Sequence, residues 1–185
     1  ARHQIDLLTV HGRTVTEGYR SAVHYDHIAA AVAASPCPVL ANGNIYSPVK
    51  ALTVLANTQS AGLMIGRAAI RNPWLFNQIR QALAGDTPIQ PTGREVLNYL
   101  EALFENVRPP SLREKSHVNK MKKYFNYIAI GIEPTGQFLH RIRRTETAKE
   151  FFGICADYLQ HDNPMPLEPF DLELKPRDVL AGEHR

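Results

Sequence analysis

The stretch PVLANGNIYSPVKALTVLANT, residues 38–58, decides the fold. Its apolar run at 38–41 is short and does not alternate cleanly with polar residues, which suits a parallel strand covered on both faces. The run stops at Asn42-Gly43-Asn44, where glycine lets the backbone turn tightly or approach a ligand, and asparagine can hold the turn or donate to oxygens. Ser47 then offers an N-cap and Pro48 the first position of a helix that continues through Leu52 and Leu55.

The same unit recurs on either side. Residues 5–10 form an apolar run ending in His11-Gly12-Arg13-Thr14, and residues 61–65 form another ending in Gly66-Arg67. An alanine-rich segment at about 22–34 reads as the helix between the first two strands. After the third, Asn72-Pro73 repeats the cap-then-proline signal ahead of Trp74-Leu75-Phe76 and Ile79. Strand and helix alternate at a spacing of about 30 residues, which predicts parallel βα architecture, either an open doubly wound sheet or part of a barrel. Three strands are too few for a closed barrel, which needs about 250 residues. Residues 1–4 also carry no initiator Met and run almost directly into a strand, so the expectation is of a fragment whose missing strands precede Ala1.

Beyond residue 84 the strand pattern stops. Gly85, Pro88, Pro91 and Gly93 mark 85–93 as a linker, and 94–160 reads as about four helices. Thr92-x-x-Glu95 and Thr147-x-x-Glu150 are capping-box candidates, and Leu97, Leu100 and Phe104 recur at helical spacing. In the tail, 161–185, Pro164, Pro166, Pro169 and Pro176 stand among acidic residues, predicting an irregular, partly mobile strap. The expected division is therefore 1–84, linker 85–93, helical 94–160 and tail 161–185.

Composition narrows the class. With 44% hydrophobic and 21% charged residues, the 185-residue chain can build a core, so disorder is not expected. The two cysteines, Cys37 and Cys155, lack CxxC spacing, which argues against a disulfide framework or zinc cluster and fits a reducing cytoplasm. No run approaches the roughly 20 apolar residues of a membrane span. The net charge of +3 hides an asymmetry, since 108–144 holds nine Lys/Arg against two Glu while the remainder is net acidic. That segment is a candidate polyanion surface.

Chemistry should collect at the strand ends, because parallel βα folds present ligands to the carboxyl ends of their strands. Arg67 offers a planar fork of donors suited to phosphate oxygens, and His11 an imidazole. Taken singly, Asn42-Gly43-Asn44 reads equally as a plain turn, Arg67 as half of an ion pair and His11 as a structural histidine. Two such turns on consecutive strands favour a phosphorylated cofactor, because barrel phosphate sites often use the loops after the last two strands. Cys37 precedes the second strand, at the opposite end of the sheet, and reads as packing; Cys155 reads as a small buried hydrophobe.

In the helical part, Val118, Met121, Phe125 and Ile128 form an apolar stripe. Lys115, Asn119, Lys122 and Asn126 share another face, with Lys123 beside it, Tyr124 and Tyr127 flanking, and Arg141, Arg143 and Arg144 one helix further on. Lysines that neutralise phosphates beside tyrosines that stack on bases suit structured RNA; a solvated lysine face is the alternative.

The segments LTVHGRT, EGYR, PVLANGNI, MIGRAAIRNPWLF and HVNKMKKYFNYI, in this order and spacing over most of the chain, resemble the tRNA-dihydrouridine synthase family. The resemblance implies an α/β fold made of the C-terminal strands of a TIM (β/α)8 barrel followed by an all-α helical domain. It implies a flavoprotein in which NADPH reduces FMN and the flavin passes hydride to the C5–C6 double bond of a tRNA uridine. The family's FMN-phosphate positions fall on Asn42, Gly43, Asn44, Gly66 and Arg67, with His11 a cofactor neighbour; Asn44 departs from the acidic residue often found there. For RNA it suggests Arg13, Tyr19 and Arg20 together with Lys115, Lys122, Lys123, Arg143 and Arg144.

No residue matches the family's catalytic cysteine, the general acid, or the flavin-contacting lysine of the preceding strand. Both are expected upstream of Ala1, and the surroundings of Cys37 match the lead-in to the NG strand instead. The expectation is a cytoplasmic, monomeric, tRNA-binding protein with no metal and no membrane attachment. The 185 residues alone should make no dihydrouridine and bind FMN weakly, because half a barrel leaves sheet edges unpaired. The competing readings are an FMN barrel oxidoreductase acting on a small metabolite and a non-catalytic RNA-binding remnant.

Overall fold

The computed structural model describes residues 4–18, 21–109, 111 and 113–170. Three parallel strands, β1 (Leu8–His11), β2 (Val39–Asn42) and β3 (Gly62–Met64), form one sheet in that order. The connections between them carry helices α1 (Tyr25–Ala34) and α2 (Pro48–Thr58). After β3 come α3 (Arg67–Arg71) and α4 (Leu75–Ala84), then α5 (Gly93–Asn106), α6 (Glu114–Ile128), a 3-10 turn at Ala129–Gly131, α7 (Gln137–Ile142) and α8 (Ala148–Leu159). The chain divides into two compact units. One takes in the described residues up to Ala69 with Pro73–Pro88; the other, Ile70–Asn72 and the described residues from Ile89 onward.

In the first unit the strands lie in register, with Leu8 beside Val39, and with Val10, Ala41 and Leu63 in one row. That row faces the helices: Ile28 from α1, Ala51 and Val54 from α2, and Leu75 and Ile79 from α4 close a core around Ala41. The next row, His11, Asn42 and Met64, ends all three strands at the same level. Ser47 caps α2 as the sequence indicates, its side chain accepting from the Lys50 N–H at 3.1 Å with Pro48 at the start.

Two helix starts differ from expectation. α1 begins at Tyr25, after the start of the alanine-rich segment, and His24 at its N-cap position supplies no side-chain cap and instead bonds Glu17. α4 begins at Leu75 with Trp74 at its N-cap, so the Asn72-Pro73 signal does not start it; a short helix, α3, fills the space after β3, and Asn72 is buried.

In the second unit, Val118, Met121, Phe125 and Ile128 are all buried, as their spacing predicts. Phe125 meets Phe151 edge-on at 4.7 Å and Phe138 at 5.7 Å, and Phe104 meets Phe151 at 6.1 Å. Both capping boxes form, Thr92 with Glu95 and Thr147 with Glu150. Cys155 is fully buried, and burial pushes its thiol up to about 12, so it stays a protonated packing group.

The strap is better held than its prolines suggest. Gly93 and Arg94 N–H groups donate to the Asn163 and His161 carbonyls, Met165 N–H to Pro91 and Phe170 N–H to Ile130. A Cβ at Gly93 would stand 2.4 Å from His161 Cε1 and 2.6 Å from the Leu159 carbonyl, so a bare glycine is required there. The expectation of mobility therefore does not extend to 161–170; residues 171–185 lie outside the described residues.

Candidate cofactor site at the strand ends

The carboxyl ends of the three strands are tied crosswise by side chains. Asn42 Nδ2 donates to the Met64 carbonyl at 2.8 Å, which fixes the amide so that Oδ1 faces His11 Nδ1 at 2.6 Å. His11 therefore donates from Nδ1, and in its neutral form presents Nε2 as an acceptor. Beyond Asn42 the chain turns through two unusual residues, Gly43 at φ 133° and Asn44 at φ 48°. Gly43 is held from below: a Cβ there would lie 2.9 Å from Val23, and its carbonyl accepts from the Tyr25 hydroxyl at 2.8 Å. Non-glycine residues rarely adopt the Gly43 conformation, so this position needs glycine for backbone as well as space.

The next turn is open. Nothing lies within 4 Å of a Cβ built at Gly66, and Arg67 is exposed at the start of α3. Asn42, Gly43 and Asn44 on one turn and Gly66 and Arg67 on the next thus follow two adjacent, directly paired strands.

The loop after β1 folds on itself. Arg13 Nε donates to the Ser21 carbonyl at 2.8 Å, and Arg13 Nη1 to Asn44 Oδ1 at 3.3 Å. Arg13, proposed from sequence as an RNA contact, therefore spends these two donors within the protein, and Asn44's side chain anchors Arg13. Glu17 accepts from Thr14 N–H at 2.6 Å, from the Thr14 hydroxyl at 2.8 Å and from His24 Nε2 at 2.6 Å. The Thr14 N–H above all, then His24 and the Thr14 hydroxyl, hold its carboxyl down at about 2. These ties enclose a shallow cavity of about 160 Å³ lined by His11, Arg13, Thr14, Glu17, His24 and His27. Tyr19 and Arg20, also assigned to RNA from the sequence, lie outside the described residues.

On the helical unit the basic residues separate into two kinds. Lys115 pairs with Glu146 at 2.9 Å, and half-buried Lys122 donates to the Thr145 carbonyl and, at 3.1 Å, to Asn119. Burial lowers the Lys122 pKa, against the pull of Glu146 and Glu150. Arg143 bonds Asn126 at 3.0 Å. Lys123 and Arg144 are exposed, with no side-chain partner among the described residues. Lys122 is thus first a clasp on the corner between α7 and α8, while Lys123 and Arg144 have no such tie among the described residues.

Sequence reasoning missed Glu17, Val23, His24 and Tyr25. Tyr25 lies 18 residues from Gly43, and no local spacing marks such a pairing. Among the described residues no helix is long and apolar enough to cross a membrane, and no group of three or more His, Cys, Asp or Glu is arranged to hold a metal.

Residues 3–161 match the family model for dihydrouridine synthase. The chain is 33% identical over 159 residues to tRNA-dihydrouridine synthase B of Xanthomonas campestris pv. campestris, covering 83% of this chain and 46% of that protein. It is 41% identical over 106 residues to tRNA-dihydrouridine synthase B of Vibrio vulnificus, covering 55% of this chain and 33% of that one. A probable tRNA-dihydrouridine synthase of Helicobacter pylori is 49% identical over 77 residues, 41% of this chain and 24% of the relative. The chain therefore spans about half the length, or less, of these curated relatives.

Proposed function

The chain belongs to the dihydrouridine synthase family, and from that premise we propose that it is the cofactor-anchoring and tRNA-gripping portion of an FMN-dependent tRNA-dihydrouridine synthase. In this reading β1 to β3 are closing strands of a TIM barrel and the helical unit is the tRNA-binding domain of a cytoplasmic, monomeric enzyme. FMN, reduced by NADPH, supplies hydride to the C5–C6 double bond of a tRNA uridine.

The observation that carries the reading is the level row of strand ends, His11, Asn42 and Met64, with the Gly43-Asn44 turn directly above it. A phosphate needs backbone donors, closely approachable glycines and a guanidinium. Asn44 N–H donates to no group among the described residues, Gly66 stands in open space and Arg67 is exposed beside it. The residues fit a phosphate monoester, with Asn42 bracing the turn and His11 Nε2 offering an acceptor to the rest of the cofactor.

This chain's two cysteines do not supply the proton that the uracil ring needs. Cys37 precedes β2, at the end of the sheet away from the turns, and Cys155 is buried in α8. The residues described here bind and orient; the general acid is not among them. On the helical unit Lys123 and Arg144 grip phosphates, while Lys122 and Lys115 hold the surface in shape.

Binding of an unmodified tRNA transcript, followed by fluorescence anisotropy at rising salt, tests the RNA half. The expected result is affinity that falls steeply with salt, as phosphate neutralisation requires. Absence of binding at low salt would replace the tRNA reading with an oxidoreductase acting on a small metabolite.

A further inference from the structure

The Gly43 carbonyl of the candidate phosphate turn is held by a side chain from another element. Tyr25, the first residue of α1, donates its hydroxyl to that oxygen at 2.8 Å. No cis peptide occurs among the described residues, and in a trans peptide the C=O and the following N–H point in opposite directions. Holding the Gly43 oxygen back towards α1 therefore turns the Asn44 N–H outward. That N–H sits on an exposed residue and donates to no group among the described residues.

Resting on the phosphate-site reading above, we propose that Tyr25 is a positioning residue: its hydroxyl, by holding the Gly43 carbonyl, aims the Asn44 N–H at the phosphate of the bound cofactor. Three features make the arrangement stiff enough to act this way. The Lys50 ammonium lies 4.9 Å above the Tyr25 ring, a cation-π contact that fixes the ring independently of its hydroxyl. Val23 closes the space beside Gly43, where a Cβ would come within 2.9 Å of it. Burial pushes the Tyr25 phenol above its ordinary range, with Tyr46 adding to the shift and Arg13 opposing it, so the hydroxyl keeps its proton and remains a donor at neutral pH. Without that bond the Gly43-Asn44 peptide is free to rotate, since glycine has little steric preference, and the donor loses its aim.

The test is Tyr25→Phe in the ¹⁵N-labelled chain, read by amide chemical shifts during separate titrations with inorganic phosphate, FMN and riboflavin. In the wild type the Asn44 amide should shift saturably with phosphate and with FMN, and not with riboflavin, which lacks the phosphate. Tyr25→Phe should weaken the phosphate and FMN responses about fivefold, the worth of one ordinary hydrogen bond. The Ile28 and Val54 amides, in the core of the same unit, should keep their positions and so report an intact fold. Equal phosphate responses from wild type and Tyr25→Phe would overturn the role of Tyr25 while leaving the phosphate turn in place. If Asn44 in the wild type responds to neither phosphate nor FMN, the phosphate-site reading falls and the Tyr25 proposal with it. A response to riboflavin equal to that for FMN would likewise overturn both.

Discussion

The sheet unit and the helical unit differ in how much apolar and polar surface each leaves open. The helical unit buries Phe125, Phe138 and Phe151 completely and closes both of its capping boxes. The sheet unit leaves Ile5, Leu7, Leu8 and Met64 more than a third exposed and commits its polar side chains to ties between loops. Both units have a buried core, but that of the sheet unit keeps to one side of its sheet, around Ala41, and the unit carries a hydrogen-bonded rim at its strand ends. The cores and the proposed ligand-binding turns thus use different residues, and substitutions should separate them.

The largest effect is expected at Phe151→Ala, which removes a fully buried ring touching Phe104, Phe125 and Phe152. It should cost the helical unit about 3–5 kcal/mol in urea unfolding followed by circular dichroism, and leave the Asn44 amide shift unchanged. If the strand-end resonances moved as well, the two units would not be independent. Gly43→Ala comes next. With φ at 133° and Val23 2.9 Å from the new Cβ, it should destabilise the sheet unit by more than about 1 kcal/mol and remove FMN binding. Thr147→Ala, which opens the α8 capping box, should cost about 1 kcal/mol by the same unfolding assay and nothing in flavin affinity.

Lys123→Glu and Arg144→Glu should weaken tRNA binding and flatten its salt dependence, by about 0.9 in logarithmic slope for each phosphate no longer neutralised. Lys122→Glu should lower stability too, because Lys122 holds the Thr145 carbonyl. A Lys122→Glu protein of wild-type stability that no longer binds tRNA would return Lys122 to the RNA surface.

The smallest effect concerns pH. Glu17 is held at about 2, below its ordinary 4.5, so its tie to Thr14 is stabilising above the ordinary carboxylate range and is lost as pH falls through the depressed value. Thr14 amide protection should persist at pH 4 in the wild type and be reduced in Glu17→Gln. Equal exchange in the two proteins would remove Glu17 as the organiser of the loop.

Much of this was legible in the sequence. The Ser47-Pro48 start, both Thr-x-x-Glu boxes and the α6 stripe are local patterns whose partners lie three or four residues away, and each forms in the folded chain. The alternation of strand and helix along the chain followed from the glycine turns and their spacing; the order of the strands in the sheet did not. What was not legible depends on distance. Tyr25 on Gly43, Arg13 on Asn44 and Lys122 on Thr145 join residues 18 to 31 apart, and their chemistry alone marks them equally as ligand contacts or internal clasps. At the start of α1, His24 bonds Glu17 and gives the helix no side-chain cap, a pairing seven residues apart that helical spacing does not mark. Prolines in the strap announced irregular backbone without revealing that backbone hydrogen bonds hold residues 161–170.

Binding of a flavin phosphate at the strand-end turns can be measured by comparing FMN and riboflavin affinities of wild-type and Arg67→Ala chains in a flavin-fluorescence titration. The wild type should bind FMN more tightly than riboflavin, and Arg67→Ala should narrow the gap by weakening FMN alone. Equal affinity for the two flavins in the wild type, or a gap that Arg67→Ala leaves intact, would contradict phosphate binding at these turns.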